Sequence, residues 1–246
     1  MGFRPKDAVR QAAGFTLLEL LGVIGIIAVL VALLFPVFRR VKDSANSATC
    51  VSNLRQFGAA NGMYAADHDG WMTPCVKAGQ SFVTNFGAQR IMWFESLLPY
   101  VGGPDQIPSG FGDDFAMPGS YFCPSSQIFG SGQEIFDNNG TPGFRITSYA
   151  YNARIGGYTI WHGGAIGDAY ADRKVFNCPN PAKIVMMADS IRVYFDQNQN
   201  NWENAFPQRH AGGDNVLYVD GHVDRIDAST ISKEEWEENF LVLGWR

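Results

Sequence analysis

Charge is scarce in this sequence: only 17% of its 246 residues are Asp, Glu, Lys or Arg. No basic run survives in the body of the chain and the net charge is −5, which excludes a large nucleic-acid surface. Cysteines number four, Cys50, Cys75, Cys123 and Cys178, and no pair has CxxC spacing. A zinc knuckle or thioredoxin-type motif is therefore unsupported. No G-x-S-x-G surrounds Ser190, so a nucleophile elbow is missing. No A-x-A site follows the apolar N-terminal run, which argues against an ordinary signal peptide. No internal repeat is visible. What is present is 46% apolar and 13% aromatic residues with 27 glycines, a mix that suits a β-rich, loop-rich exported domain with an extension.

The extension comes first. Residues 1–14 form a basic leader in which Arg4, Lys6 and Arg10 face only Asp7. Positive charge before an apolar helix holds that end in the cytoplasm and sends the rest across. Residues 15–38 read FTLLELLGVIGIIAVLVALLFPVF, long enough at about 1.5 Å per residue to cross about 30 Å of hydrocarbon. A carboxylate, Glu19, interrupts this run near its start. A charge inside an apolar helix is costly and marks a function with a partner. Cleavage after Gly14 would create an α-amino group at Phe15, and Glu19 of one chain would neutralise that amine on a neighbour and set the axial register. Gly22 and Gly25 permit close helix approach. Pro36 removes a backbone donor and predicts a kink or local melting.

The helix is expected to continue over residues 39–67. Val41, Ala45, Ala48, Leu54 and Tyr64 would form its buried face and Arg39, Arg40, Lys42, Arg55 and Gln56 its exposed one. The rod would be about 75–80 Å long. Asp69-Gly70 ends it; Asp67-His68-Asp69-Gly70 lacks the further oxygens of a calcium loop and reads as a helix stop. Residues 68–246 are then a head of short strands and long loops, with strands over Ser148–Tyr151, Ile184–Ala188 and Val216–Val219 and an irregular excursion over 107–143. Asp220-Gly221 between Asn215–Val219 and His222–Ile226 predicts a hairpin with a type I′ turn. Val216, Tyr218 and Val223 would alternate with outward positions. An even cysteine count in an exported domain favours disulfides; two bridges allow three connectivities, and one bridge with two buried thiols is the alternative. Asp189, His210 and Asp220 are donor types for a divalent cation such as calcium, or for acid–base chemistry. The plainer reading makes Asp220 a turn residue and His210 a partner of nearby backbone. Trp71, Trp93, Trp161 and Trp202 with Tyr158 and Tyr170 suit either a sugar-stacking surface or a core.

Gly14-Phe15-Thr16-Leu17-Leu18-Glu19 resembles the processing motif of type IV prepilins and type II secretion pseudopilins. The resemblance implies cleavage after Gly14 by the prepilin peptidase, N-methylation of Phe15, subunit alignment through Glu19, and a proline at the place of Pro36. Nine residues separate His210 from Asp220-Gly221, which is similar to the H-X9-DG signature of large pseudopilin-like proteins. Cys50-Val51-Ser52-Asn53-Leu54-Arg55-Gln56, Phe122-Cys123-Pro124-Ser125, Ser148-Tyr149-Ala150-Tyr151-Asn152 and Ala188-Asp189-Ser190 fit the same resemblance. Within it, Cys50 and Cys123 are the first pair to test for a disulfide.

Two functions follow as expectations. The first is a non-enzymatic structural subunit of α+β, pilin-like fold: a long helix on an antiparallel sheet, with no cofactor of its own. Its partners would be the prepilin peptidase and N-methyltransferase, other pilins or pseudopilins, membrane lipid, and an inner-membrane platform with its ATPase. It would sit single-pass in a bacterial inner membrane with its head in the periplasm, or in an extracellular filament. The second is a membrane-tethered binding protein for a glycan or cation, or an enzyme, that uses the prepilin export route.

Overall fold

A computed structural model describes residues 17–78, 90–104, 117–126, 134–136, 142–144, 147–162, 165–170, 173–190, 194–195, 206–210, 212–227, 229–232 and 235. The chain divides into two compact units, Met1–Lys42 and Asp43–Arg246. Helix α1 runs over Leu17–Asp67, uninterrupted through Pro36. Local melting at the proline is therefore not observed: the rest of the turn tolerates the loss of one donor.

In the first unit α1 is apolar on all sides, and its large hydrophobic side chains from Leu17 to Val41 are all exposed, by 48–82%. It is long and apolar enough to cross a membrane. In the second unit α1 buries one face: Cys50, Asn53, Leu54, Phe57, Ala60, Asn61, Tyr64 and Ala65 recur at spacings of three and four. This corrects the expected face. Val41, Ala45 and Ala48 are exposed, while two asparagines take core positions that apolar spacing alone did not indicate. The helix ends as its sequence requires. Asp69 and Gly70 adopt φ of 50° and 81°, and Gly70 N–H donates to Ala65 O at 2.8 Å. A Cβ at Gly70 would also meet the Phe176 ring at 2.6 Å. His68 stacks on Tyr64, and Tyr100 donates to Asp67, so this segment is a stop held by side chains.

The strands in chain order are β1 Val76–Ala78, β2 Arg90–Met92, β3 Glu134–Phe136, β4 Pro142–Phe144, β5 Tyr149–Asn152, β6 Tyr158–His162, β7 Ala165–Tyr170, β8 Val185–Asp189, β9 Tyr194–Phe195, β10 Asp214–Tyr218 and β11 Val223–Ile226. Among the described residues they form sheets ordered β2-β1-β6-β7, β11-β10-β8-β5-β9 and β3-β4. The class is α+β, and most pairings are antiparallel. Two are not: β1 with β6 and β5 with β9 run parallel, within sheets that are otherwise antiparallel as expected.

The central sheet explains the buried helix face. Alternation along β5 puts Tyr149 and Tyr151 on one side and Ala150 on the other. Register pairs Tyr149 with Asp189 and Tyr151 with Met187, and Leu217 of β10 with the same Met187. Tyr149, Tyr151, Met187 and Leu217 share a core with Leu54, Phe57 and Tyr64 of α1; Ala150, Ala188, Val216 and Phe206 form a second core. Strand β10 is thus covered on both sides, so the expected outward positions Asn215 and Leu217 are as buried as Val216. Phe57 is fully buried and meets Trp93, Tyr121 and Tyr149 edge-on, with centroids 5.6, 4.9 and 5.7 Å away. Each such pair adds about 0.5–1.5 kcal/mol to the burial itself.

The β10–β11 hairpin is present, with a different turn. Only Gly221 has positive φ, at 91°; Gly221 N–H donates to Tyr218 O at 3.0 Å and Tyr218 N–H to His222 O at 2.9 Å. This is the three-residue loop closed by a left-handed glycine, not type I′, which needs positive φ at Asp220 as well. Asp220 instead spends its carboxylate on the His222 backbone N–H and imidazole.

Candidate functional site

Four donors from four separate places converge inside the second unit. Cys50 comes from α1, Cys123 from the segment after the short turn Gly119–Tyr121, Asp189 from the end of β8, and His210 from the turn before β10. One ligand atom from each lies within 4.8 Å of the other three, and all four side chains are buried. The His210 Nε2 is 3.4 Å from the Cys123 sulfur and 3.3 Å from Asp189 Oδ2.

Each donor is held by its own backbone surroundings. Cys123 N–H donates to Ser148 Oγ at 2.8 Å, and Ser148 N–H to Tyr121 O at 2.8 Å. Asp189 Oδ2 accepts from both the backbone and the amide of Asn215, at 2.9 and 3.0 Å. His210 exchanges backbone hydrogen bonds with Gly213. The adjoining Arg209 clamps the sheet, donating to Ser148 O and Ser190 O at 2.8 Å each. On the helix side, Asn53 donates to the Tyr149 hydroxyl at 3.1 Å and to Phe122 O at 3.2 Å.

Electrostatics couple the four. Burial alone would push the His210 pKa down, but the Asp189 carboxylate and Cys123 sulfur prevail and raise it to about 9. A hydrogen bond from the Cys50 S–H lowers the Cys123 pKa to about 5 against burial, with help from His210. That same bond, and then burial, push the Cys50 thiol well up.

A nucleophile–base–acid relay needs the carboxylate on one imidazole nitrogen and the nucleophile on the other. Here Nε2 serves both, and Nδ1 has no partner among the described residues. All four residues are at most 3% exposed, so none is presented to solvent. The arrangement suits ligation or structure.

The expected site residues divide accordingly. Asp189 and His210 meet, and Cys50 and Cys123 meet with them. Asp220 does not join; it lies in the hairpin turn with Gly221, paired to His222. Cys75 is buried in the core, and Cys178 is half-buried after a short turn over Val175–Asn177; none of the four cysteines forms a disulfide. Glu19 and Pro36 lie in the exposed apolar part of α1, whereas Gly14 and Phe15 fall outside the described residues. Trp93 is core, Trp71 is exposed beneath the Lys174 ammonium, and the side chains of Trp161, Trp202, Tyr158 and Tyr170 lie outside the described set. Sequence reasoning grouped Asp189 with His210 and, through the resemblance, Cys50 with Cys123; no spacing announces that the two pairs meet. No protein-family model, curated protein or solved structure matches the chain.

Proposed function

We propose that the chain is a structural subunit processed as a prepilin and assembled, through its first helical unit, into a pilus- or pseudopilus-like filament. The observation that carries this reading is a helix apolar on every side and exposed along its whole first unit, with a carboxylate three residues into it. Surface of that kind is stable in lipid or among like helices and unstable in water. Glu19 then pairs with the α-amino group released at Phe15 on a neighbouring subunit. Cleavage after Gly14 and methylation of Phe15 belong to a membrane peptidase, so this chain is a substrate there and not a catalyst. The second unit would stand on the far side of an inner membrane or on the filament surface, moved by a platform and its ATPase.

Intact-mass and N-terminal peptide spectrometry on protein from native membrane tests processing: the expected chain begins at N-methyl-Phe15. Glu19→Ala tests assembly. The variant should be processed and remain in the membrane while its incorporation into filaments falls to background. A chain still beginning at Met1, or normal incorporation of the variant, would overturn the proposal and favour a tethered binding protein.

A further inference from the structure

We propose that Cys50, Cys123, Asp189 and His210 bind one zinc ion, closing a structural site that fastens α1 to the central sheet. The inference does not depend on filament assembly. Two sulfurs, one imidazole nitrogen and one carboxylate make a four-donor set of the kind that holds structural zinc. Calcium, named above as an example of a divalent cation for Asp189, His210 and Asp220, takes 6–8 oxygen ligands, and sulfurs do not suit it.

The geometry agrees. With Zn–S about 2.3 Å and Zn–N and Zn–O about 2.0–2.2 Å, tetrahedral ligands lie roughly 3.3–3.8 Å apart, the two sulfurs farthest. The His210 nitrogen is 3.4 Å from the Cys123 sulfur and 3.3 Å from Asp189 Oδ2, and one ligand atom from each of the four residues lies within 4.8 Å of the others. A second observation points to the same place. Asp189 is fully buried, yet its Oδ1 has no hydrogen-bond partner among the described residues, while Oδ2 accepts two. A buried carboxylate oxygen left without a partner is costly, and a cation would supply one. Part of the surroundings of a metal centre is in place: Asn215 orients Asp189, and Ser148 anchors the Cys123 backbone, while His210 Nδ1 has no partner among the described residues. Zinc on Nε2 fixes the proton of the neutral ring on Nδ1. Burial of all four donors leaves no open coordination position for a substrate, so the ion would be structural.

The competing chemistry is a Cys50–Cys123 disulfide, which consumes the same two sulfurs. The test uses the full chain purified in detergent without chelator. Elemental analysis should find one zinc per chain, and peptide mapping without reduction should find Cys50 and Cys123 as free thiols. After chelation, Co²⁺ added to the wild-type chain should give the intense visible bands of a tetrahedral site and a thiolate charge-transfer band. Cys123→Ser and Asp189→Asn should each lose the stoichiometric zinc. Because such variants risk misfolding, the decisive reading is the Co²⁺ spectrum of the unmutated protein. An octahedral spectrum lacking thiolate bands, or a Cys50–Cys123 disulfide in metal-free native protein, would overturn the site.

Discussion

The two parts of helix α1 obey one backbone geometry and opposite burial rules. Before Lys42 leucine, isoleucine and valine lie exposed, with Leu17 at 82%. After Asp43 two asparagines are almost wholly buried, Asn53 at 6% and Asn61 at 3%. Hydrophobicity therefore does not by itself say where a helix is covered. Among the described residues of its unit, nothing covers the hydrophobic side chains of the first part. The second meets a sheet whose tyrosine hydroxyls match its amides: Asn53 donates to Tyr149, and Tyr151 donates to Asn61 at 3.0 Å. Buried polar groups are tolerated where each finds such a partner.

Substitution on the two parts should give very different results. Phe57→Ala should lower the unfolding free energy by about 3–5 kcal/mol, read from denaturant titration of the detergent-solubilised chain. Leu30→Ala, already exposed, should change it by less than about 0.5 kcal/mol. Equal losses would break the comparison.

A pH titration extends it to the sheet that covers the second part, where β10 carries a buried carboxylate. Burial raises the Asp214 pKa to about 6, although the Gln208 and Arg209 backbone N–H groups donate to its carboxylate. The folded value exceeds the unfolded one, so the folded state binds the proton more tightly. Asp214's contribution is therefore complete below about pH 4 and is lost as pH rises through about 6. Relative to Asp214→Asn, the wild type should lose at most about 3 kcal/mol across that window. A flat difference between the two stability profiles would mean that Asp214 ionises as freely as in the unfolded chain.

Asn53→Leu tests the asparagine directly. It keeps the volume close but removes the amide donor from the Phe122 carbonyl and the Tyr149 hydroxyl, and should cost about 1–3 kcal/mol. A neutral result would show that the amide pairing contributes little beyond packing.

Local chemistry was legible in the sequence. The apolar run, the stop at Asp69-Gly70, the three strands and the hairpin each depend on a few consecutive residues. The buried helix face was not, because Asn53 and Asn61 become core residues only through tyrosines 96 and 90 positions away. The turn was misassigned because Asp-Gly suits two hairpin types, and the carboxylate contact to His222 selects between them. The parallel pairings and the Cys50, Cys123, Asp189 and His210 cluster likewise depend on long-range closure, which spacing along the chain does not encode.

The interval from His210 to Asp220 works as a ruler. At one end His210 is pinned by Gly213 and the buried cluster; at the other, Val219 and Asp220 N–H groups donate to Ile184 and Pro181 carbonyls. Between them, Asn215 must reach Asp189 and Leu217 must reach Met187. One residue more or less would turn each side chain to the opposite face. Amino-acid identities at several steps of this ruler are open to exchange, but its length is not.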